Sequence, residues 1–194
     1  MGKTSRKQAE FMTADEFLAW EGDGTGRRFE LVDGVLRAMA PAAVNHGVIQ
    51  GQLAYLLKRH IIEHKLPCAV IVAPGVQPRV HANANVRIPD IAVSCARLTA
   101  GLKTLPEPLL LIEIVSPSNR AQTWTNVWTY TTIVSARELL IVDSIRRDVK
   151  LLRRQADGAW PDQPEPIVAD GVLTLDSLGM AVPIADIYEG AALS

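Results

Sequence analysis

The chain has 194 residues, 48% apolar and 21% charged, the profile of a soluble globular domain with a sizeable core. Its 20 basic and 21 acidic side chains give a net charge of −1, which excludes a whole-molecule basic field as a source of nucleic-acid affinity. No apolar run reaches membrane-spanning length, and none follows Lys3, Arg6 and Lys7 as a signal peptide requires, so a cytoplasmic protein without membrane contact is expected.

Residues 1–11 are expected to form a disordered tail and 12–194 a single domain. Thr13-Ala14-Asp15-Glu16 is a capping box, with Met12 and Phe17 spaced as a hydrophobic staple, which predicts a short helix to about Trp20. Gly22, Gly24 and Gly26 then make a connector. It is no dinucleotide fingerprint, because it precedes a strand rather than following one. Phe29–Val32, Asp33-Gly34 and Val35–Met39 spell a hairpin. Val48, Ile49, Leu53, Leu56, Leu57 and Ile61 recur at helical spacing, predicting a long amphipathic helix from Val44 to about Glu63.

Strands are predicted at Cys68–Ala73, Val76–Val80, Asp90–Ser94 and Leu109–Val115, the last apolar enough to be covered on both faces. Trp124, Val127, Trp128 and Thr131 mark one face of a further helix. Strands at Glu138–Val142, Val149–Leu152 and Val172–Leu175 follow, with a surface loop at 161–166 and a short segment ending at Tyr188. This order predicts an α/β (α+β) fold with helices flanking one sheet. Cys68 and Cys95 fall in runs read as strands. Buried free thiols are the expectation there, with a disulfide or a shared metal as alternatives.

Glu113 is the anomaly of this pattern. Alternation places it on the same face as Leu111 and Val115, where a bare carboxylate costs several kcal/mol to desolvate. Protonation, an arginine such as Arg87 or Arg120, or a bound cation must offset that cost. Asp90 follows Pro89 at the start of the preceding strand, and two close carboxylates repel unless a divalent ion neutralises them. Glu30 is a third acid within an apolar strand. Hard oxygen donors of this kind suit Mg²⁺ or Mn²⁺ rather than zinc.

The ordered set is Phe29-Glu30-Leu31-Val32-Asp33-Gly34, Asn45-His46, Arg87-Ile88-Pro89-Asp90, Glu113-Ile114-Val115-Ser116-Pro117-Ser118, Tyr130 and Glu138–Asp143. It resembles a restriction-endonuclease family of the PD-(D/E)XK nuclease superfamily, catalogued as a domain of unknown function and abundant in cyanobacteria. The resemblance covers roughly residues 12–188. It implies a restriction-endonuclease-like core, a mixed central sheet flanked by helices, and Mg²⁺- or Mn²⁺-dependent hydrolysis of DNA phosphodiester bonds. It places Asp90 and Glu113 on the metal, Glu30 as the supporting acid and His46 at the site edge. A homodimer is compatible with cutting both strands of a duplex.

The chain departs from that pattern at the lysine. Val115 stands where the signature wants it. The helical stretch Gln122–Thr129, where relatives supply it instead, has none, and an acid usual near Gln122 or Thr123 is also missing. Asn126 is the nearest polar match; it can hydrogen-bond a water but carries no charge. Lys58, Lys65 and Lys103 are candidates to substitute in space. The alternative reading is therefore a catalytically inactive nuclease-fold protein that binds nucleic acid or a protein partner.

Plainer roles compete at each residue. His46 can cap its helix, Asp143 and Ser144 can shape a turn, and Trp124 and Trp128 can pack rather than stack on bases. The pairs Arg27-Arg28, Arg146-Arg147 and Arg153-Arg154 can be solvated faces as readily as phosphate contacts.

Overall fold

A computed structural model of the protein describes residues 11–117 and 119–194. Apart from Phe11, the expected N-terminal tail lies outside the described residues, as does Ser118. Thr13 caps helix α1 (Ala14–Ala19), and the reciprocal bonds of the capping box are both present. Strands β1 (Phe29–Val32) and β2 (Val35–Ala38) pair as the predicted hairpin. Its two-residue turn puts Asp33 and Gly34 at φ 49° and 80°, the left-handed pair that favours Asp-Gly. Helix α2 (Val44–Glu63) runs over the predicted span and buries Ile49, Leu53, Leu56, Leu57 and Ile61.

The main sheet has six strands in the order β3-β4-β5-β6-β7-β8. They are β3 (Ala69–Val72), β4 (Ile91–Ser94), β5 (Pro108–Val115), β6 (Glu138–Asp143), β7 (Val149–Arg153) and β8 (Glu165–Ile167). All neighbours are antiparallel except β5 and β6, whose parallel pairing is made by the crossover helix α3 (Arg120–Tyr130). On one face α2, the hairpin β9 (Val172–Leu175) and β10 (Met180–Pro183), and α4 (Ile184–Ile187) cover Ile91, Leu110, Ile112, Ile114 and Leu140. On the other, α3 covers Ala92, Leu111, Val115, Leu139 and Ile141. The mixed sheet between helices is the expected architecture. Among the described residues no helix is long and apolar enough to cross a membrane.

Four local expectations are corrected. Val76–Val80 forms no strand, only an isolated bridge between Val76 and Arg87. Pro78 lacks the N–H a ladder needs. The 161–166 loop ends in edge strand β8, where Pro166 sits without breaking a central ladder. The buried face of α3 is Thr123, Asn126, Val127 and Tyr130, while Trp128 is 40% exposed. Finally, Cys68 and Cys95 are joined in a disulfide, Cys68 half-buried and Cys95 exposed. The cause is register: Ala69 opposes Ser94, so Cys68 and Cys95 are the next facing pair across β3 and β4.

That bond closes a loop with a sequence separation of 27, worth about 3.5 kcal/mol in the chain-entropy account. Reduction is expected to lower the melting temperature by roughly 7–14 °C, read by calorimetry with and without dithiothreitol. Equal melting in the two states would show that the bridge adds nothing.

Candidate active site

Asp90 is set by three elements. The pairing of Ile91 with Ile112 makes Asp90 and Glu113 the next opposed residues beyond the last rung of β4 and β5. The Asp90 carboxylate accepts from the Ile114 N–H at 2.7 Å, and its other oxygen is 2.9 Å from His46 Nε2. Gln50, one helical turn beyond His46 on α2, donates to the Asp90 carbonyl at 2.8 Å, and Ala73 N–H reaches the same oxygen at 2.9 Å. The head of α2 thus grips both the side chain and the peptide of Asp90.

Glu113 faces α3, as alternation with Leu111 and Val115 predicts, and is 7% exposed. Neither Arg87 nor Arg120 pairs with it; Arg120 bonds Asp143 at 2.7 Å instead. Its partner is the buried hydroxyl of Tyr130, which donates at 2.7 Å. Burial, then the neighbouring Asp90 charge and that of Glu30, hold the Glu113 carboxyl well above the usual glutamate range, against the hydrogen bonds from Tyr130 and Asn126. Burial also keeps Tyr130 neutral, hence a donor.

Glu30 arrives through the hairpin. Leu31 and Val86 bridge by two backbone bonds, and the next rung brings Glu30 beside Arg87, whose Nη1 is 4.0 Å from Glu30 Oε1. Glu30 also accepts from Gln122 at 3.2 Å, Asn126 at 3.4 Å and the Ile88 N–H. Burial raises its pKa, opposed by Arg87 and by Arg37 across the hairpin. These partners take up most of the acceptor positions of Glu30.

Asn126 is equally committed. Its oxygen accepts from Arg87 at 3.2 Å and Gln122 at 2.9 Å, and its amide nitrogen donates to Glu30 at 3.4 Å. Among the described residues no lysine joins this network: Lys58 and Lys65 are exposed, and Lys103 donates to the Leu18 carbonyl. Among the described residues no group of three His, Cys, Asp or Glu converges as a metal cluster. Asp90 and Glu113 remain the pair that could hold a divalent ion, since each retains carboxylate acceptor capacity.

Asp143 shapes a turn, accepting from the Ile145 and Arg146 N–H groups as well as Arg120. Burial pushes its carboxyl up, but these partners outweigh it and hold it below the usual range. Arg153 and Arg147 are paired with acids, and Trp124 packs beside the α3-side core. Gln50, Gln122 and the role of Tyr130 escaped the sequence reading. Their signal was spacing: Gln122, Asn126 and Tyr130 lie four apart on the face of α3 that also buries Val127.

Tyr130→Phe is expected to cost about 1–2 kcal/mol, because Glu113 loses its donor without a cavity forming. Urea titration checks this; a variant as stable as wild type would mean the bond contributes nothing.

A family model described as "Putative restriction endonuclease" (Uma2) matches residues 14–182. The chain is also similar to the crystal structure of "a putative nuclease belonging to DUF820" from Anabaena variabilis. The TM-score is 0.74 at 18% identity, covering 92% of this chain and 98% of that one, a likeness of fold. None of the curated proteins matches the chain.

Proposed function

Since the chain belongs to the Uma2 family, described as "Putative restriction endonuclease", we propose that it is a metal-dependent endonuclease that hydrolyses DNA phosphodiester bonds, Asp90 and Glu113 holding Mg²⁺ or Mn²⁺. The observation that carries this is the burial of Glu113 against the charge of Asp90, a repulsion that a divalent cation relieves. Two carboxylates with water completing the shell are a donor set that Mg²⁺ takes, so these residues fit the ion. When bound, the ion lowers the pKa of a water and offsets the charge growing on the phosphate.

The protein's own groups have separable parts. His46 and the Ile114 N–H fix the Asp90 carboxylate, and Tyr130 fixes that of Glu113. Glu30 is a supporting acid, held by Arg87, Gln122 and Asn126. Asn126 is a positioning residue, with no proton to give or take at neutral pH. The whole domain, residues 12–194, is proposed to act on DNA as one unit, with a homodimer reaching both strands.

One observation favours the second reading, a catalytically inactive member that binds nucleic acid or a protein partner: the Asn126 side chain is engaged by protein groups, accepting from Arg87 and Gln122 and donating to Glu30. Incubation of DNA with the purified protein and Mg²⁺ or Mn²⁺ decides between them. Cleavage by wild type, absent in Asp90→Ala and Glu113→Ala, supports the nuclease. No cleavage by wild type with either metal, gained on Asn126→Lys, establishes the inactive reading.

A further inference from the structure

Among the described residues Arg87 is the one lysine or arginine that is buried outright, at 2% exposure. Burying a guanidinium is costly unless partners surround it. Its Nη1 donates to Asn126 and stands 4.0 Å from Glu30, while its Nε has no hydrogen-bond partner at all. Both groups it meets, Glu30 and Asn126, belong to the acidic centre. The backbone fixes its place: Arg87 exchanges two hydrogen bonds with Val76 and precedes Asp90 by three residues. Helix α3, on the other side of Glu30, brings no positive charge to the centre, since Arg120 is taken by Asp143.

We propose that Arg87 is the positioning cation of the acidic centre, holding Glu30 and Asn126 and keeping Glu30 off the metal. A positive charge at position 126 would do the same electrostatic work from the helix side. Only the metal-binding arm of the test rests on the proposed metal site.

The experiment compares Arg87→Met, Asn126→Lys and the two combined. Without metal, Arg87→Met is expected to lower the melting temperature by about 10 °C, leaving Glu30 with exposed Arg37 alone. Asn126→Lys alone also lowers it, by setting a second cation against Arg87. The combined protein recovers most of the Arg87→Met loss. In Mn²⁺ titration calorimetry Arg87→Met binds about tenfold more tightly, because Glu30 is freed and a positive charge removed, and the combined protein returns to the wild-type affinity. Additive melting losses in the combined protein, or weaker Mn²⁺ binding by Arg87→Met, would overturn the proposal by marking Arg87 as a structural residue only. If Arg87→Met is insoluble, a soluble combined protein supports the proposal and an insoluble one overturns it. If wild type takes no Mn²⁺, the metal site fails, and the melting comparison still decides the role of Arg87.

Discussion

Replacing Asp90 by asparagine is expected to lower metal-dependent DNA cleavage by about a thousandfold or more while leaving the fold in place. Asparagine is nearly isosteric and keeps an oxygen to accept from the Ile114 N–H, so the grip of β5 on this residue survives. What is lost is one full negative charge in a centre where Glu113 is buried and Glu30 is occupied by Arg87, Gln122 and Asn126. The proposed metal site, built on two carboxylates, is expected to lose its ion with one of them, and several kcal/mol of transition-state stabilisation with it. Initial rates on linear DNA at saturating Mg²⁺, with circular dichroism as the folding control, measure this. A folded Asp90→Asn protein that cuts at the wild-type rate would remove Asp90 from the mechanism.

Glu113 sets the second large effect, on stability rather than rate. Burial and the Asp90 charge make its folded-state carboxyl titrate well above the ordinary glutamate value of 4.5. Between that value and its own, the folded protein therefore binds more protons than the unfolded chain. Stability from this group is complete below about pH 4.5 and is lost as pH rises through the folded value, at no more than about 1.4 kcal/mol per pH unit. Asp143 works the other way, its contribution lost only as pH falls below the ordinary aspartate range, so the two windows do not overlap. Metal-free wild type should thus weaken from pH 5 to pH 8, and Glu113→Gln, which still accepts from Tyr130, should not. By pH 8 the variant is expected to be the more stable by more than 1 kcal/mol. Mg²⁺ should narrow the gap by stabilising wild type alone. Denaturation curves in EDTA at the two pH values decide it, and parallel behaviour of the two proteins would contradict the assignment.

Much of this was legible because it is local. The capping box of α1, the Asp-Gly turn and the apolar spacing of α2 are short-range patterns, and each formed over the span its residues predict. Glu113 betrayed itself by alternation alone, since a strand with period two leaves no doubt which neighbours share its face. What stayed hidden depends on which strands meet. The Cys68–Cys95 bridge follows from a register no single strand encodes, and Glu30 meets Arg87 through a bridge between distant segments. The face of α3 was misjudged because its tryptophans outweigh its amides in an apolar count. The helix instead turns Gln122, Asn126 and Tyr130 toward the acids, where hydrogen-bonding demand outranks hydrophobicity.

The single parallel pairing in the sheet also sets how local each contact of the centre is. β5, α3 and β6 form one continuous crossover unit, within which the bond from Tyr130 to Glu113 spans 17 residues, whereas that from Asn126 to Glu30 spans 96. By loop-closure entropy the longer contact costs about 1.5 kcal/mol more to bring together. The acid of β5 and its tyrosine can thus find each other inside one short stretch of a collapsing chain. Glu30 closes the centre from the far end of the sequence, which makes its contact with Asn126 the costlier of the two to bring together.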